Sequence, residues 1–338
     1  MPLLTVSHLR KRFNLEAGFF ARFGRFVNAI NDISFSIGAN ETYGLVGESG
    51  CGKTTTARLL VRMYEADGGS ILYHRETGPM EVAALRQEEL RQYREKVKYV
   101  FQDPARSLNP RMSVYEVLIA GPRWSAPLRG AGKKRLRQEA AAVLEEVGLS
   151  SADLERRPSE FSGGQRQRIS IARGILMRPE LLICDEVVSA LDVSIQGQIL
   201  NLLLDIRQKR DISFLFIAHD LKVACYFCDR IGVMYRGELM EEAPAMELYR
   251  QGLHPYTRLL FSSATGGKSP PPLSLHTSGI PLPPSAEGVL PETPPQAYSA
   301  QDSCAFVERC PQAREHCFTE KPSMKEIETG HTIRCFAC

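Results

Sequence analysis

The chain has 338 residues, of which 43% are hydrophobic and 24% charged, and a formal net charge of +3. This length allows a full α/β domain and a further segment, while the small net charge gives no strong field for binding nucleic acid or an anionic membrane. No apolar run approaches the roughly 18 residues of a membrane-spanning helix, and no apolar core of a secretory signal follows Arg10, Lys11 and Arg12. We therefore expect a cytoplasmic protein whose nine cysteines are reduced or bound to metal.

Near the N-terminus, residues 3–6 and 30–37 have the pattern of strands. In the second, Ile33, Phe35 and Ile37 alternate with serines, which is typical of a half-buried strand. The phenylalanine-rich segment between the strands is interpreted as a packed insertion. Phe13, at its start, is the candidate for stacking on an adenine ring.

The next segment, Gly47-Glu48-Ser49-Gly50-Cys51-Gly52-Lys53-Thr54, fits the phosphate-loop pattern G-x-x-x-x-G-K-[ST]. An apolar strand at 43–46 precedes it, and a helix continues from Thr55, as the motif requires. Glycines let successive N–H groups point at phosphate oxygens, and the helix N-terminus adds partial positive charge. Lys53 is expected at the β- and γ-phosphates, and the Thr54 hydroxyl on Mg²⁺.

The middle of the chain reads as mostly helical segments inserted into an α/β frame. Residues 81–96 have helical period, and 97–101 form a strand that ends at Gln102. Residues 133–147 form an amphipathic helix, with one apolar face made by Leu136, Ala140, Val143, Leu144 and Val147.

Further along, polar residues follow predicted strands or open predicted helices. A helix at 166–177 follows Ser162, Gly163, Gly164 and Gln165, a run that by itself is a weak indication of an anion site. The strand 181–184 ends at Asp185-Glu186, where Asp185 suits Mg²⁺ through water and Glu186 suits a general base. Alone, an acidic pair is more often a solvated turn. Helices are predicted at 195–206 and 221–229, and strands at 214–218, before His219, and at 231–235.

Together and in order, these motifs over residues 1 to about 265 resemble the ATPase subunit of an ABC transporter. The resemblance implies an α/β fold: a P-loop NTPase core with an antiparallel β subdomain and an inserted helical subdomain at about 103–176. It implies ATP and Mg²⁺ as ligands of the nucleotide-binding domain at 1–265. The expected catalytic residues are Gln102, Glu186 and His219.

The resemblance also implies roles for individual positions. Nucleotide contacts are expected from Phe13, Gly47, Glu48, Ser49, Gly50, Cys51, Gly52, Lys53, Thr54, Thr55, Ser162, Gly163, Gly164, Gln165 and Asp192. Of these, the signature at 162–165 contacts the nucleotide of the paired subunit, and Asp192 closes the D-loop at 189–192. The Mg²⁺ ligands are expected to be Thr54, Gln102 and Asp185, and Gln102 also couples to the membrane subunit.

Three stretches, at 101–112, 190–196 and 252–257, resemble the oligopeptide and dipeptide importer ATPases more closely. The aromatic insertion at 19–27 favours the second of the two ATPase types in such systems. The resemblance implies a paired ATPase subunit in a heterodimer, two membrane permeases and an extracytoplasmic substrate-binding protein, with this chain peripheral on the cytoplasmic face. Val187 replaces the proline usual in the family, and because Asp185 and Glu186 remain, we expect hydrolysis to survive.

The last part of the chain changes character. Residues 266–302 are proline-rich and predict an extended linker. Residues 303–338 hold five cysteines, and their spacing indicates a metal or cluster site without deciding which. So short a segment rarely folds alone, and we expect metal ligation to stabilise it. The resemblance implies a [4Fe–4S] cluster on Cys304, Cys310, Cys317 and Cys335, with zinc as the alternative and Cys338 left over. Cys225 and Cys228 are interpreted as packing residues.

A second function class stays open, namely a soluble ABC ATPase acting in nucleic-acid or translation-related work. Such proteins usually join two ATPase domains or carry a long coiled coil, and this chain has one motif set and no coiled coil. An importer also accounts for the linker and the cysteine-rich segment, so no nucleic-acid partner is expected. The transported solute, whether dipeptide, oligopeptide, nickel or another, is not encoded in this subunit.

Overall fold

The computed structural model describes residues 2–14, 26–121, 130–264 and 303–337. Within these ranges the strands are β1 (Pro2–Asn14), β2 (Phe26–Gly38), β3 (Thr42–Val46), β4 (Gly68–Arg75), β5 (Gly78–Glu81), β6 (Val97–Val100), β7 (Leu181–Asp185), β8 (Ser213–Ala218), β9 (Arg230–Tyr235), β10 (Glu238–Pro244), β11 (Lys325–Glu328) and β12 (His331–Ile333).

The same ranges contain helices of between one and five turns. They are α1 (Lys53–Leu60), α2 (Gln87–Lys96), α3 (Pro104–Ser107), α4 (Val114–Ile119), α5 (Lys133–Glu146), α6 (Gly163–Ile175), α7 (Val193–Arg210), α8 (Leu221–Phe227), α9 (Ala245–Gln251), α10 (Pro255–Ala264) and α11 (Glu315–Thr319). The proline-rich segment predicted at 266–302 lies outside the described residues.

An eight-stranded sheet, in the order β11-β12-β10-β9-β3-β8-β7-β6, forms the frame of the protein. Strand β3 is parallel to both of its neighbours, and β7 is parallel to β8 and β6. Because the carboxyl ends of parallel strands meet at one edge of a sheet, the loops after β3, β6, β7 and β8 are neighbours. These loops carry most of the residues predicted to be catalytic or to bind phosphate and Mg²⁺.

A second sheet, in the order β2-β1-β4-β5, is fully antiparallel. Its apolar side shares one core with the phosphate-loop helix, through residues such as Leu4, Ile33, Ala57 and Leu60. Helices α3 to α6 form the inserted helical region between β6 and β7, and the α5 face predicted from periodicity is buried. The predicted α/β fold with an antiparallel β subdomain and a helical insertion is confirmed.

The prediction of one helix over residues 81–96 was wrong at its start. Gly78, at φ +113°, turns the chain into a β4–β5 hairpin, and Glu81 accepts a hydrogen bond from the Ile71 N–H at 3.1 Å. Helix α2 begins only at Gln87, after the Arg86 N–H donates to the Glu89 carboxylate at 3.2 Å. The sequence also predicted Cys228 to lie within a helix, whereas α8 ends one residue earlier, at Phe227.

The cysteine-rich segment is continuous with the main fold, although its small size suggested a unit that needs a metal to fold. Strand β12 pairs with β10, placing Glu241 opposite Ile333 and Glu242 opposite Thr332. Phe306 is only 1% exposed and lies in the larger hydrophobic core. The segment therefore packs against the apolar surface of the ATPase domain and pairs with the edge strand β10 of its sheet.

Candidate active site

The phosphate loop connects β3 to α1 and requires glycine at two points. Gly47 has φ +152°, and a Cβ there would lie 2.1 Å from the Met234 carbonyl oxygen. Gly52 has φ +112°, and its Cβ would lie 2.5 Å from the Ala29 carbonyl oxygen. No larger residue fits at either position, so the motif's spacing reflects backbone packing as well as phosphate binding.

Lys53 lies within this loop and is only 4% exposed. Its ammonium donates to the carbonyl oxygens of Gly47 at 2.6 Å and Glu48 at 2.8 Å. A lysine has three N–H donors and no acceptor, so this group offers a positive charge at the loop centre. The neighbouring Cys51 is buried, which raises the pKa of its thiol and keeps it neutral.

Thr54 and Asp185, both predicted as Mg²⁺ ligands, are in contact. The Thr54 hydroxyl donates to one Asp185 oxygen at 3.0 Å, and the Tyr99 hydroxyl donates to the other. Asp185 ends β7 and is 2% exposed. A hydroxyl beside a carboxylate is a donor set that suits Mg²⁺ in a phosphate-loop site. Thr55 follows in the first turn of α1.

Tyr99 was missed by sequence reasoning. It lies on β6, and burial together with the Asp185 charge raises its pKa, so the phenol stays a hydrogen-bond donor. The nearest signal in the sequence is a polar aromatic on a buried strand, which does not by itself indicate a partner 86 positions away.

Gln102 and Glu186, predicted as catalytic residues, are also joined. The Gln102 amide donates to the Glu186 carboxylate at 2.7 Å. Glu186 adopts a left-handed backbone at φ +49°, which is uncommon for a residue with a side chain. The turn is held by two bonds from Ser189 to the Glu186 carbonyl, at 3.1 Å from its N–H and 2.8 Å from its hydroxyl.

His219 follows β8 and is exposed. With Glu186, Ser189 and Gln196 it lines one small cleft. The structure thus brings the histidine and the glutamate to the same cavity. Val187, in place of the family's proline, is 2% exposed and packs in the core beside this cleft.

At the start of α6, the signature residues Ser162, Gly163 and Gln165 are exposed and Gly164 is half-buried. Ser162 and Gln165 form a reciprocal cap, with the Ser162 N–H donating to the Gln165 amide oxygen at 3.0 Å and the Gln165 N–H to the serine hydroxyl at 3.3 Å. A Cβ at Gly164 would lie 2.8 Å from Ile195 in the first turn of α7. Asp192, just before α7, is exposed too, so these groups form an outward-facing surface distinct from the phosphate loop.

Phe13 lies on β1 opposite Val27 rather than in an insertion. Its ring meets that of Tyr64 edge to face, with centroids 5.2 Å apart, and the Lys11 ammonium lies 5.5 Å from its centroid. Most of the aromatic insertion used to assign the second ATPase type lies outside the described residues, which resume at Phe26.

The cysteines of the C-terminal segment lie near one another. The Cys304 N–H donates to the Cys317 carbonyl at 3.0 Å, and burial and the other three thiols raise the pKa of Cys304 to about 11. N–H groups also point at sulfur: Arg314 at Cys317 and Ala337 at Cys335, both at 3.4 Å. Among the described residues no disulfide forms, and no three His, Cys, Asp or Glu side chains are placed to hold one metal ion.

Cys225 and Cys228 are each 8% exposed and lie in the larger hydrophobic core. Burial raises the pKa of Cys225 to about 12, and that of Cys228 is raised as well. Both thiols therefore stay neutral and pack as apolar groups, as their interpretation as packing residues expects.

Comparison with known proteins identifies the family of the chain. The ABC transporter family model matches residues 30–189, and the model for the oligopeptide/dipeptide transporter C-terminal region matches residues 240–317. A relative named for oligopeptide transport, YkfD of Bacillus subtilis, is 41% identical over 341 residues, covering 99% of this chain and 95% of the relative. The chain belongs to the ATP-binding subunits of ABC transporters, in the oligopeptide/dipeptide branch.

Another relative supports this family, and two solved structures share the fold. The oligopeptide transport ATP-binding protein OppF of Bacillus subtilis is 45% identical over 261 residues, covering 77% of this chain and 82% of the relative. An ATP-binding cassette solved as a dimer with ADP and phosphate matches with a TM-score of 0.62 at 24% identity, covering 72% of this chain and 98% of the other. CbiO1 of Clostridium perfringens gives the same TM-score and identity, covering 74% and 92%.

The two solved structures show a shared fold, that of an ABC cassette. Because the chain belongs to this family, it is an ABC-type ATPase. In the described ranges of the chain, no helix has both the length and the apolar character needed to cross a bilayer.

Proposed function

We propose that this subunit hydrolyses ATP to drive uptake of peptides through membrane permeases. One observation carries the proposal: the phosphate lysine, the hydroxyl–carboxylate pair, the Gln102–Glu186 pair and His219 all follow strands at a single edge of the sheet. The peptide cargo is supported by relatives named for oligopeptide or peptide transport that match nearly the whole chain.

In this proposal the nucleotide phosphates would bind the loop N–H groups and Lys53, and Thr54 and Asp185 would hold Mg²⁺. Mg²⁺ would neutralise charge on the β- and γ-phosphates. Glu186 accepts the proton of the attacking water, and His219 contacts the γ-phosphate. Gln102 orients the Glu186 carboxylate by the hydrogen bond seen at 2.7 Å.

The proposed site is completed by a second ATPase subunit. Four residues of this face are exposed and lie outside the hydrophobic core, namely Ser162, Gly163, Gln165 and Asp192. Val193, directly after Asp192, is 84% exposed. An exposed apolar side chain beside the capped start of α6 suits a protein contact. We propose that ATP is bound between this face and a related subunit in a heterodimer.

A groove beside Gln102 suits a permease. It is lined by Met63, Phe101, Met112, Val117 and Met177, and also by the basic residues Arg94, Lys98 and Arg173. We propose that a permease helix binds here, so that Gln102 joins the groove to the catalytic glutamate. The subunit would then lie peripherally on the cytoplasmic face, and an extracytoplasmic binding protein would deliver the peptide.

Replacing Lys53 tests the proposed function. Lys53→Ala removes the buried positive charge and should reduce ATP binding and ATP-driven uptake to background. Lys209→Ala, an exposed lysine on α7, is the matched control and should behave as wild type. Unchanged ATP affinity and turnover in Lys53→Ala would overturn the phosphate-loop assignment.

We also propose that Cys304, Cys310, Cys317 and Cys335 bind one [4Fe–4S] cluster with a structural role. Four cysteines grouped without a disulfide, two of them accepting N–H bonds at sulfur, form a donor set suited to such a cluster. Zinc is the alternative, since a structural zinc ion is also bound by four cysteine thiolates.

Anaerobic purification with iron, sulfide and zinc analysis tests the cluster. We expect four iron and four sulfide per subunit, with broad visible absorption, as the proposed formula requires. One zinc without sulfide would replace the cluster by a zinc site. No metal at all, with the thiols of the folded protein fully alkylated, would exclude both.

A further inference from the structure

The C-terminal segment reaches the phosphate loop itself. Phe306 is buried between Tyr235 and Tyr256, with ring centroids 5.3 Å away in each case. Three residues later the Arg309 N–H donates to the Phe306 carbonyl at 3.1 Å. This turn fixes the backbone from which the Arg309 side chain extends towards the loop.

Arg309 binds Glu48, the second residue of the loop, through both ends of its guanidinium. Nη1 donates to one carboxylate oxygen and Nη2 to the other, each at 2.9 Å. The guanidinium also lies over the Tyr235 ring, 5.6 Å from its centroid. Two parallel hydrogen bonds and a ring face restrict both position and orientation, as a lysine at this point would not.

Glu48 links this contact to the phosphate lysine. Its N–H donates to the Tyr256 hydroxyl at 3.0 Å, and its carbonyl accepts from the Lys53 ammonium at 2.8 Å. The side chain of Glu48 is partly exposed, so its charge is only partly screened by water. An acidic side chain in a loop that receives a polyanion would repel that ligand unless the charge is paired.

We propose that Arg309 is a positioning residue for the nucleotide: it neutralises Glu48 and holds the phosphate loop in the conformation that accepts ATP. This rests on the proposed binding of ATP at the loop. Loss of the pairing leaves a negative charge beside the phosphates, so the effect must be larger for ATP than for ADP, which carries one phosphate fewer. The pair is not fully buried, which keeps the expected effect moderate.

Binding of ATP and ADP to the full chain tests this role. Arg309→Gln should raise the Kd for ATP by about fivefold and the Kd for ADP by less, because repulsion grows with ligand charge. Glu48→Gln removes the repelling carboxylate and should lower the Kd for ATP. Combining Arg309→Gln with Glu48→Gln should recover most of the affinity that the single arginine change loses. Arg309→Lys, which keeps the charge, should recover part of it.

Glu308→Gln is the matched control, since Glu308 is the preceding residue and pairs with Arg236 instead of the loop. Equal ATP affinity in Arg309→Gln and wild type would overturn the inference. A double variant as weak as Arg309→Gln would mean that the arginine acts by packing alone, which also contradicts it. If Arg309→Gln does not fold, Glu48→Gln still decides, because an unchanged Kd for ATP in that variant refutes the charge role. Wild-type protein that fails to bind ATP would instead overturn the proposed function.

Discussion

Single residues at the carboxyl edge of the sheet carry the chemistry, and Glu186 is the most constrained of them. Its left-handed backbone costs about 1–3 kcal/mol for a residue that is not glycine, so the surrounding structure must hold it there. The bonds from Ser189 to its carbonyl and from its N–H to the Ile217 carbonyl at 3.0 Å do so. The carboxylate is thereby directed at Gln102 and at the cleft shared with His219.

Glu186→Gln should retain ATP binding and lose turnover, because an amide keeps the shape of the carboxylate but does not accept a proton. We expect at least a 100-fold fall in the ATPase rate, the usual size of a general-base effect, and accumulation of an ATP-bound subunit pair. Steady-state hydrolysis and size-exclusion chromatography with ATP measure both. Glu145→Gln, on the exposed side of α5, is the control. Near wild-type turnover in Glu186→Gln would exclude Glu186 as the base.

Sequence reasoning could propose a site residue where its neighbours in the chain belong to the same motif. The strand–loop–helix geometry of the phosphate loop could be predicted because its glycines, Lys53 and Thr54 lie in one short segment, and its contacts with the nucleotide stay a prediction. Tyr99 and Arg309 were not predicted, because each acts on a partner that is distant in sequence and close only after folding. Periodicity and local motifs contain no information about such contacts.

At the scale of elements, the start of α6 and the start of α7 form one surface. A Cβ at Gly164 would lie 2.8 Å from Ile195, so a side chain at this position must displace the α7 contact or extend outward into the proposed nucleotide interface. The prediction of the helix at 195–206 was short at both ends, since α7 runs from Val193 to Arg210. Its first turn follows Asp192 and belongs to this surface.

Gly164→Asp should abolish hydrolysis by the assembled transporter while the isolated subunit still binds ATP, because the changed surface faces the paired subunit. Gly197→Asp is the control, because Gly197 lies on α7 and a Cβ there would meet no atom within 4 Å. ATPase assays on the complex and nucleotide binding by the isolated subunit separate the two effects. Loss of all binding by isolated Gly164→Asp would contradict the cross-subunit role.

Strand β12 is joined to β10 by a buried ion pair as well as by its ladder. The His331 Nε2 lies 2.8 Å from Glu241, with the two side chains 3% and 0% exposed. This hydrogen bond raises the pKa of His331 above its ordinary 6.5. Burial opposes ionisation of Glu241, but its hydrogen bonds from His331, Leu253 and His254 lower its pKa below 4.5.

The sign of the pH dependence follows from these two shifts. The histidine contribution is complete below pH 6.5 and is lost as pH rises through the raised pKa, while the glutamate contribution is lost as pH falls through the lowered pKa. His331→Gln should therefore lower Tm more at pH 6.0 than at pH 8.5, by a difference of about 2 °C. His8→Gln, in the exposed pair with Asp32, is the control. An equal loss of Tm at the two pH values would contradict the ion pair.

For the whole molecule, the sequence predicted the cassette but not the packing of the C-terminal segment against it. Hydrophobic periodicity indicated strands and a helical insertion in an α/β frame, and the resemblance carried by the ordered motifs implied the antiparallel subdomain. The segment at 303–337 looked too small to form a core, yet Phe306 packs into the ATPase core and β12 extends its sheet. This packing could not be predicted, because other parts of the chain build the surface that the segment contacts. That surface consists of β10 and the rings of Tyr235 and Tyr256.

The most direct test of the central claim is peptide-stimulated ATP hydrolysis by the transporter reconstituted in proteoliposomes with its permeases, paired subunit and binding protein. The proposed function predicts that a loaded binding protein raises hydrolysis, that labelled peptide accumulates only with ATP, and that Glu186→Gln removes both. Hydrolysis stimulated by RNA or DNA but indifferent to the permeases and to peptide would contradict it.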